Sequence, residues 1–378
     1  MVNFGLKRYI NIQLRNFYHA LKDFDLKSFF ILFLYRRHRI LPDTILLVEM
    51  NNCHSEVICG YIPYFQKLGY SLEIIAYKSL CKEKPFFRAD IKGIPVFYMN
   101  LWAFNRVSNS RKLLEYKHIF ITSSAMYMYD FSKNKPYKSF LSCFPSVKKH
   151  PSLFMVGHDL KYMDEFQEGN LLKKNRLITL GKFENRVFIN PHLFSNVSIT
   201  PKSSQTTFIT IGAINIYRKN HQELIKAVEQ LSKTGKDFRV IVVGSGNYNV
   251  PKKIRSFFEI TGRLDFPKMF KKIEEADFFL PLLDENNKDH ERYITTGCTG
   301  SAQLIYGFSK IPIIHQKFAS FYRFDKTNSI VYTDSLAEAM KYAINLTARE
   351  YQTLQDNLST TAKEIEQESL CNLQRILK

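Results

Sequence analysis

The stretch Phe208-Ile209-Thr210-Ile211-Gly212-Ala213-Ile214-Asn215-Ile216-Tyr217-Arg218-Lys219-Asn220-His221 decides how the chain folds. A short, mostly apolar run over 208–211 reads as a buried strand, and Gly212 stops it. A polar, basic turn follows. The next residues, 221–232, put Leu224, Ala227, Val228 and Leu231 on one helical face. Strand, glycine turn, amphipathic helix is the β-α step of a parallel sheet.

The same step recurs on both sides. Downstream, a strand over 238–243 ends in Gly244-Ser245-Gly246, and Asp265 caps a helix carrying Phe266, Met269, Phe270 and Ile273. Strands over 278–280 and 311–314 flank a helix over 300–308. Ser335 and Glu338 have capping-box spacing for a helix to 346, and 348–378 reads as a final polar helix. Upstream, strands are expected over 45–48, 72–76, 95–98, 119–122, 153–156 and 187–189. A helix over 56–68 is expected to stop at Gly69. Asn190-Pro191 and the polar stretch 201–205 mark a boundary. The expectation is an α/β protein of two doubly wound Rossmann-like domains, 41–200 and 201–345, with a cleft between them. A basic-aromatic extension, 1–40, precedes them and a C-terminal helix, 346–378, follows. The halves share a rhythm, but there is no repeat of solenoid length.

Composition narrows the classes. The chain has 378 residues, 45% hydrophobic and 24% charged, which excludes disorder, and 15 Gly with 13 Pro exclude a fibrous chain. The net charge of +19 asks for an anionic partner. The six cysteines form no CxxC pair and no zinc spacing, which suits reduced thiols in the cytosol. Residues 1–10 lack the apolar run of a secretory signal. The apolar run 29–35 is far shorter than the roughly 20 residues a spanning helix needs. Basic residues Lys7, Arg8, Arg15, Lys22, Lys27, Arg36, Arg37 and Arg39 alternate with aromatic and aliphatic ones over 1–40. That pattern fits either an anionic membrane interface or a helix packed on the body with a solvated basic face.

Ligands of doubly wound sheets sit beyond the carboxyl ends of strands, so the candidate chemistry lies there. After the first strand, Asn52, His54 and Glu56 lead into a helix. After 153–156, Gly157-His158-Asp159 offers a histidine for a substrate hydroxyl and an aspartate to orient it or the backbone. After 208–211, Gly212, Arg218 and Lys219 precede a helix N-terminus, an arrangement suited to a diphosphate. Gly244 and Gly246 lack the third glycine of a dinucleotide fingerprint, since position 249 is Asn249. Tyr293-Ile294-Thr295-Thr296-Gly297-Cys298-Thr299-Gly300-Ser301 is rich in glycine and hydroxyls and opens directly into a helix, a cradle for an anion. No lysine follows its second glycine, so it is not a Walker A loop. There is no HExxH, GxSxG, EF-hand or kinase set, so neither a metal nor a cofactor is expected.

Taken together, these segments resemble the GT-B glycosyltransferases, near the retaining family-four group, over about 41–345. The resemblance is carried by Ile211-Gly212, Arg218-Lys219-Asn220-His221, Leu224-Ile225-Lys226-Ala227, Val242-Val243-Gly244-Ser245-Gly246, Ile260-Thr261-Gly262-Arg263-Leu264, Ala276-Asp277-Phe278-Phe279-Leu280-Pro281 and Ile311-Pro312-Ile313-Ile314. It implies hexosyl transfer from a nucleotide-diphosphate sugar to a glycan or lipid-linked acceptor, of the kind used in bacterial surface polysaccharide or lipooligosaccharide synthesis. It implies that Gly212, Arg218, Lys219, Thr299, Gly300 and Ser301 hold the diphosphate. Gly244, Gly246, Gly262 and Arg263 would line the nucleotide, and Asp284 and Glu285 the sugar or ribose. His158 and Asp159 would lie at the donor sugar, and Asn52, His54 and Glu56 on the acceptor side. Two features depart from the family: Ala213 stands where an arginine is usual, and Gln303, Leu304 and Ile305 stand where the second of two glutamates is usual. Retaining and inverting routes both stay open, as does a non-catalytic sugar-nucleotide-binding subunit. A nucleic-acid-binding reading rests on Lys133, Lys135, Tyr137, Lys138, Phe140, Phe144, Lys148 and Lys149, but no binding module accompanies them, so nucleic acid is not an expected partner. The expected location is cytoplasmic, peripheral at the inner face of the cytoplasmic membrane.

Overall fold

A computed structural model describes residues 26–51, 55–123, 128–130, 135–138, 140–161, 175–214 and 218–378. The expectations for residues 1–25 and for Asn52 and His54 lie outside the described residues, as does Lys133. The chain forms two compact units. One holds the described residues up to Ser55 with Phe65–Lys82 and Ile91–Met155; the other holds Glu56–Tyr64, Glu83–Asp90 and the described residues from Val156 to Lys378.

The strands, in chain order, are β1 (Thr44–Glu49), β2 (Ser71–Tyr77), β3 (Val96–Met99), β4 (His118–Ile121), β5 (Met128–Asp130), β6 (Lys135–Lys138), β7 (Leu153–Gly157), β8 (Leu177–Thr179), β9 (Val187–Phe188), β10 (Thr206–Ile211), β11 (Phe238–Val243), β12 (Phe258–Gly262), β13 (Phe278–Phe279), β14 (Ile311–His315) and β15 (Ile330–Tyr332). The longer helices are α1 (Leu26–Arg37), α2 (Glu56–Lys67), α3 (Leu101–Ser108), α4 (His221–Leu231), α5 (Phe266–Glu275), α6 (Ser301–Phe308), α7 (Leu336–Asn345) and α8 (Ala348–Leu377).

A seven-stranded sheet runs β3-β2-β1-β4-β7-β8-β9 and a six-stranded sheet runs β12-β11-β10-β13-β14-β15, while β5 and β6 pair as an antiparallel hairpin. In both larger sheets the first strand in sequence lies inside, and the chain winds outward from it in both directions, the doubly wound pattern expected. Register is parallel throughout the second sheet, with Phe208 beside Val240 and Phe278. Both its faces are covered. Phe208, Val240, Val242 and Phe278 join one apolar cluster, and their neighbours Ile209, Ile241, Val243 and Phe279 join another. Strands buried on both sides are apolar on both faces, which is why these runs do not alternate.

Most expected elements form within a residue or two of the sequence reading. Gly69 ends α2 at φ 80, the left-handed conformation that a C-terminal glycine supplies. Strands β5, β6, β8, β12 and β15 and helix α3 are not among the expected elements; all of these strands are five residues or shorter. The final helix carries more than a polar exterior. Tyr351, Leu358, Ala362, Ile365, Leu373 and Leu377 form a buried stripe along α8, and Gln355 and Ser369 continue it. The buried polar members hide the stripe from a hydropathy reading, yet each has a partner: Ser369 Oγ accepts from Asn190 N at 3.1 Å, and Gln355 Nε2 donates to Ser309 O at 3.2 Å.

Helix caps show a second difference. Ser335 Oγ accepts from Glu338 N at 3.2 Å, half of the expected box. The reciprocal box forms at α8, where Thr347 Oγ1 accepts from Glu350 N and Glu350 Oε2 accepts from Thr347 N. Thr347→Ala is expected to cost about 1 kcal/mol. The cost should appear as a lower urea midpoint with an unchanged denaturant slope.

Candidate functional site

The carboxyl ends of β10, β11 and β12 are laced together by glycines. Gly212 N donates to Val243 O at 2.9 Å, Gly244 N donates to Gly262 O at 3.0 Å, and Ile214 N donates to Ser245 O at 2.9 Å. The backbones approach so closely that a Cβ on Gly244 would lie 1.8 Å from Gly212 O, and one on Gly246 would lie 2.8 Å from Ile214 O. Only glycine fits, because the competing atoms are main-chain and cannot swing aside.

Lys219 sits against this glycine edge. A Cβ on Gly212 would come within 3.0 Å of its Cε. Its side chain is buried; Nζ donates to Pro281 O at 2.8 Å and to Ser301 Oγ at 3.3 Å. Among the described residues no carboxylate lies at ion-pair distance from it. Burial alone pulls its pKa down to about 7. Two histidines share this field. Burial and then the Lys219 charge lower His221 to about 4, and burial is also the main cause lowering His290. His290 Nδ1 accepts from Asp284 N at 2.8 Å, while its buried Nε2 has no partner among the described residues.

The loop after β13 is held in an unusual shape. Leu282 has φ 55, a left-handed conformation that a bulky side chain avoids. That twist presents Pro281 O to Lys219, and Leu282 O accepts from Asn220 N at 2.8 Å. Asn220 then does two things: Oδ1 caps α4 by accepting from Glu223 N, and Nδ2 donates to Asp284 Oδ2 at 2.8 Å. Glu223, in the first turn of α4, is raised to about 7 by burial and then by the Asp284 and Glu285 charges.

The 297–301 loop meets the segment after β7. Asp159 and Gly297 form an antiparallel bridge, and Leu160 N donates to Thr296 O at 2.7 Å. A Cβ on Gly297 would meet His158 O at 3.1 Å. Asp159 Oδ2 lies 3.7 Å from Arg292 Nη1, and Oδ1 accepts from Lys161 N. The carboxylate therefore ties the loop to Arg292, at the start of the short helix Arg292–Thr295. Thr299 N donates to Tyr322 Oη at 3.0 Å, and Tyr322 Oη donates to Tyr293 O. Ser301 N donates to Thr299 Oγ1 at 3.3 Å. Gly300, at the start of α6, leaves room for a Cβ, which would touch Glu56 Oε1 at an ordinary contact distance of 3.6 Å.

The structure thus gathers Gly212, Gly244, Gly246, Gly262, Lys219, Thr299, Gly300 and Ser301 into one connected edge, with Asp284 reached through Asn220 and His158 and Asp159 reached through Gly297. It leaves others apart. Arg218 is exposed. Arg263 is largely exposed and pairs with Glu83 at 3.0 Å. Glu285 Oε2 faces His315 Nε2 at 3.5 Å. Sequence reasoning did not single out Asn220, Glu223, His290, Arg292 or Tyr322 as members. Asn220 and Glu223 carried a signal, the N-cap spacing at the start of α4. The others carry none, since only the fold brings them in. Among the described residues no group of three His, Cys, Asp or Glu side chains is placed to hold a metal ion.

No family model and no curated protein matches the chain. Solved structures do. A glycosyltransferase from Rickettsia africae ESF-5 superposes with a TM-score of 0.57 at 14% identity, covering 89% of this chain and 97% of that one. An alpha-glucosyltransferase in complex with UDP and a 13-mer DNA containing a HMU base gives 0.56 at 12% identity, covering 87% and 99%. TarM gives 0.55 at 12% identity, covering 90% and 99%. At these identities the likeness is one of fold, and that fold is the two-domain GT-B type.

Proposed function

We propose that the chain is a glycosyltransferase that moves a sugar from a nucleotide-diphosphate donor to a glycan or lipid-linked acceptor. The observation that carries this reading is Lys219: a lysine buried with no carboxylate at ion-pair distance among the described residues, aimed between Pro281 O and Ser301 Oγ at the N-terminus of α6. A buried ammonium is costly unless a ligand repays it, and a diphosphate supplies the missing charge. That a protein of this fold was solved with UDP agrees with the reading.

In the reaction the anomeric carbon–oxygen bond to the diphosphate breaks, an acceptor oxygen bonds to the anomeric carbon, and the acceptor proton is lost. Lys219, Ser301 and the N-terminus of α6 neutralise charge on the departing diphosphate. Arg218 adds an exposed charge. Gly244, Gly246, Gly262 and Arg263 line the nucleotide, and Asp284 and Glu285 meet sugar or ribose hydroxyls. His158 contacts the donor sugar, with Asp159 and Arg292 fixing its loop. On a retaining route the leaving phosphate takes the acceptor proton; on an inverting route His158, Glu56 or His54 is the base. The acceptor is a bacterial surface glycan intermediate at the inner face of the cytoplasmic membrane, a setting that the net charge of +19 favours.

Thermal-shift ranking of UDP-, GDP- and CMP-sugars, followed by turnover with the best donor, tests this. Diphosphate donors should stabilise the chain and CMP-sugars, with one phosphate, should do so less. No shift with any of them contradicts the reading. Gly300→Val probes the α6 end, because a Cβ there meets only the far end of the Glu56 side chain, at contact distance. The variant should melt like the parent and bind donor about tenfold more weakly, as its branched side chain holds phosphate off the backbone N–H groups. Unchanged binding would put the diphosphate elsewhere.

A second reading, a non-catalytic sugar-nucleotide-binding subunit, draws on Gln303. It is buried, with Oε1 lacking a partner among the described residues, in the region where the resemblance asks for a glutamate. Donor binding without turnover on any acceptor would favour it.

A further inference from the structure

Helix α1 has two unlike faces. Ser28, Leu32 and Tyr35 are buried, while Leu26, Phe29, Phe30, Phe33 and Leu34 expose between 42% and 80% of their surface. On a helix these five positions span a stripe about 140° wide, opposite the buried side. The exposure is not fraying. Tyr35 packs edge-on to Phe97 at 5.2 Å, His38 Nε2 lies 2.8 Å from Glu73 Oε1, and Lys112 Nζ donates to Arg36 O and His38 O at the helix end. A helix fixed by its inner side presents three phenylalanines and two leucines outward. Such a contiguous apolar patch on a folded protein marks an interaction surface.

The charge around the patch identifies the partner. Lys27 and Arg36 border the stripe, Arg37 lies at its end with its guanidinium 4.3 Å over the Phe33 ring, and Arg39 follows. No acidic residue occurs in α1. A second copy of this chain would set these cations against their own kind, in a molecule of net charge +19. Residues 1–25 are no better complement, with Lys7, Arg8, Arg15 and Lys22 against Asp23 and Asp25. Apolar rings flanked by cations match the boundary between acyl chains and anionic headgroups.

We infer that α1 docks the protein on an anionic bilayer, inserting Phe29, Phe30 and Phe33 at the headgroup boundary while Lys27, Arg36, Arg37 and Arg39 meet the lipid charge. This rests on the membrane-surface part of the proposed function and not on its chemistry. No helix among the described residues is long and apolar enough to cross a membrane, so the attachment is by one face.

The test is co-sedimentation of the full chain with phosphatidylcholine vesicles, with and without phosphatidylglycerol, at low and high salt. Binding should require phosphatidylglycerol and weaken with salt. Phe29→Ser, Phe30→Ser and Phe33→Ser combined should cut vesicle partitioning by more than about tenfold with unchanged melting. Arg36→Glu with Arg37→Glu should cut it on phosphatidylglycerol vesicles and abolish the salt response. Vesicle binding by the triple variant equal to the parent overturns the inference. So does a dimeric parent that the triple variant makes monomeric, or no binding at low salt. Donor thermal shifts on the same samples separate the two readings: a chain that binds vesicles but no nucleotide sugar fails as a transferase and not here.

Discussion

Lys219→Met is expected to melt higher than the parent chain at pH 6 and to bind nucleotide-diphosphate sugars about 10- to 100-fold more weakly, from the loss of charged contacts each worth about 1.5–3 kcal/mol. The two effects have one cause. In the unfolded chain the lysine titrates near 10.5, and folding pulls it down to about 7. Between those values the unfolded state holds more protons, so stability rises with pH across that window. Below about 7 both states are protonated and the penalty of burying the ammonium is present in full. Each pKa unit corresponds to about 1.4 kcal/mol, so the penalty is of the order of several kcal/mol. Methionine removes it at similar length. The gain in melting temperature should therefore be large at pH 6 and smaller at pH 9. A lysine that merely holds the loop after β13 would behave oppositely: its loss would lower the melting temperature and leave donor binding alone.

Gly244→Ala is expected to destabilise the second unit by more than about 3 kcal/mol. A methyl there would lie 1.8 Å from Gly212 O, main chain against main chain, and relief requires separating the ends of β10 and β11. The hydrogen bond from Gly212 N to Val243 O would go with it. Gly262→Ala makes the control. Gly262 has φ 69 but nothing within 4 Å of a Cβ, so its cost is only the left-handed backbone, about 1–2 kcal/mol. Urea unfolding of the two variants checks both; equal costs would mean that the glycine edge is looser than described.

The sheet was legible because its strands are buried on both faces. Apolar runs such as 238–243, closed by glycine and followed by a helical stripe, leave little choice of fold. Short edge strands such as β15, with only Ile330 to Tyr332, carry too few residues to show a period. The site was legible in part. Gly212 and Gly244 stand at strand ends and Lys219 just before the start of α4, where position alone marks them. His290 and Arg292 lie in the short helical turns Lys288–His290 and Arg292–Thr295, too brief to show a period, and chain contacts bring them in. Leu282 is the extreme case: nothing in a leucine announces φ 55, which only the surrounding hydrogen bonds enforce. Asp159 reads in sequence as a residue that orients His158 or the backbone; it accepts from the Lys161 backbone, and the fold adds Arg292, far along the chain, which no spacing could show. The apolar α1 face was visible as the run 29–35, but which of its residues point outward depends on the packing of Tyr35.

Lys219 is a buried amine whose charge a bound diphosphate restores. Calorimetric titration of UDP into the parent chain and into Lys219→Met at pH 8, in two buffers of different ionisation enthalpy, tests it most directly. Should UDP-sugars rank below GDP-sugars in the thermal shifts, GDP replaces UDP. The account predicts that the parent takes up close to one proton on binding, because the diphosphate restores the lysine's charge, and that the variant binds weakly with no such uptake. Tight binding by the variant with the same proton count as the parent would contradict it.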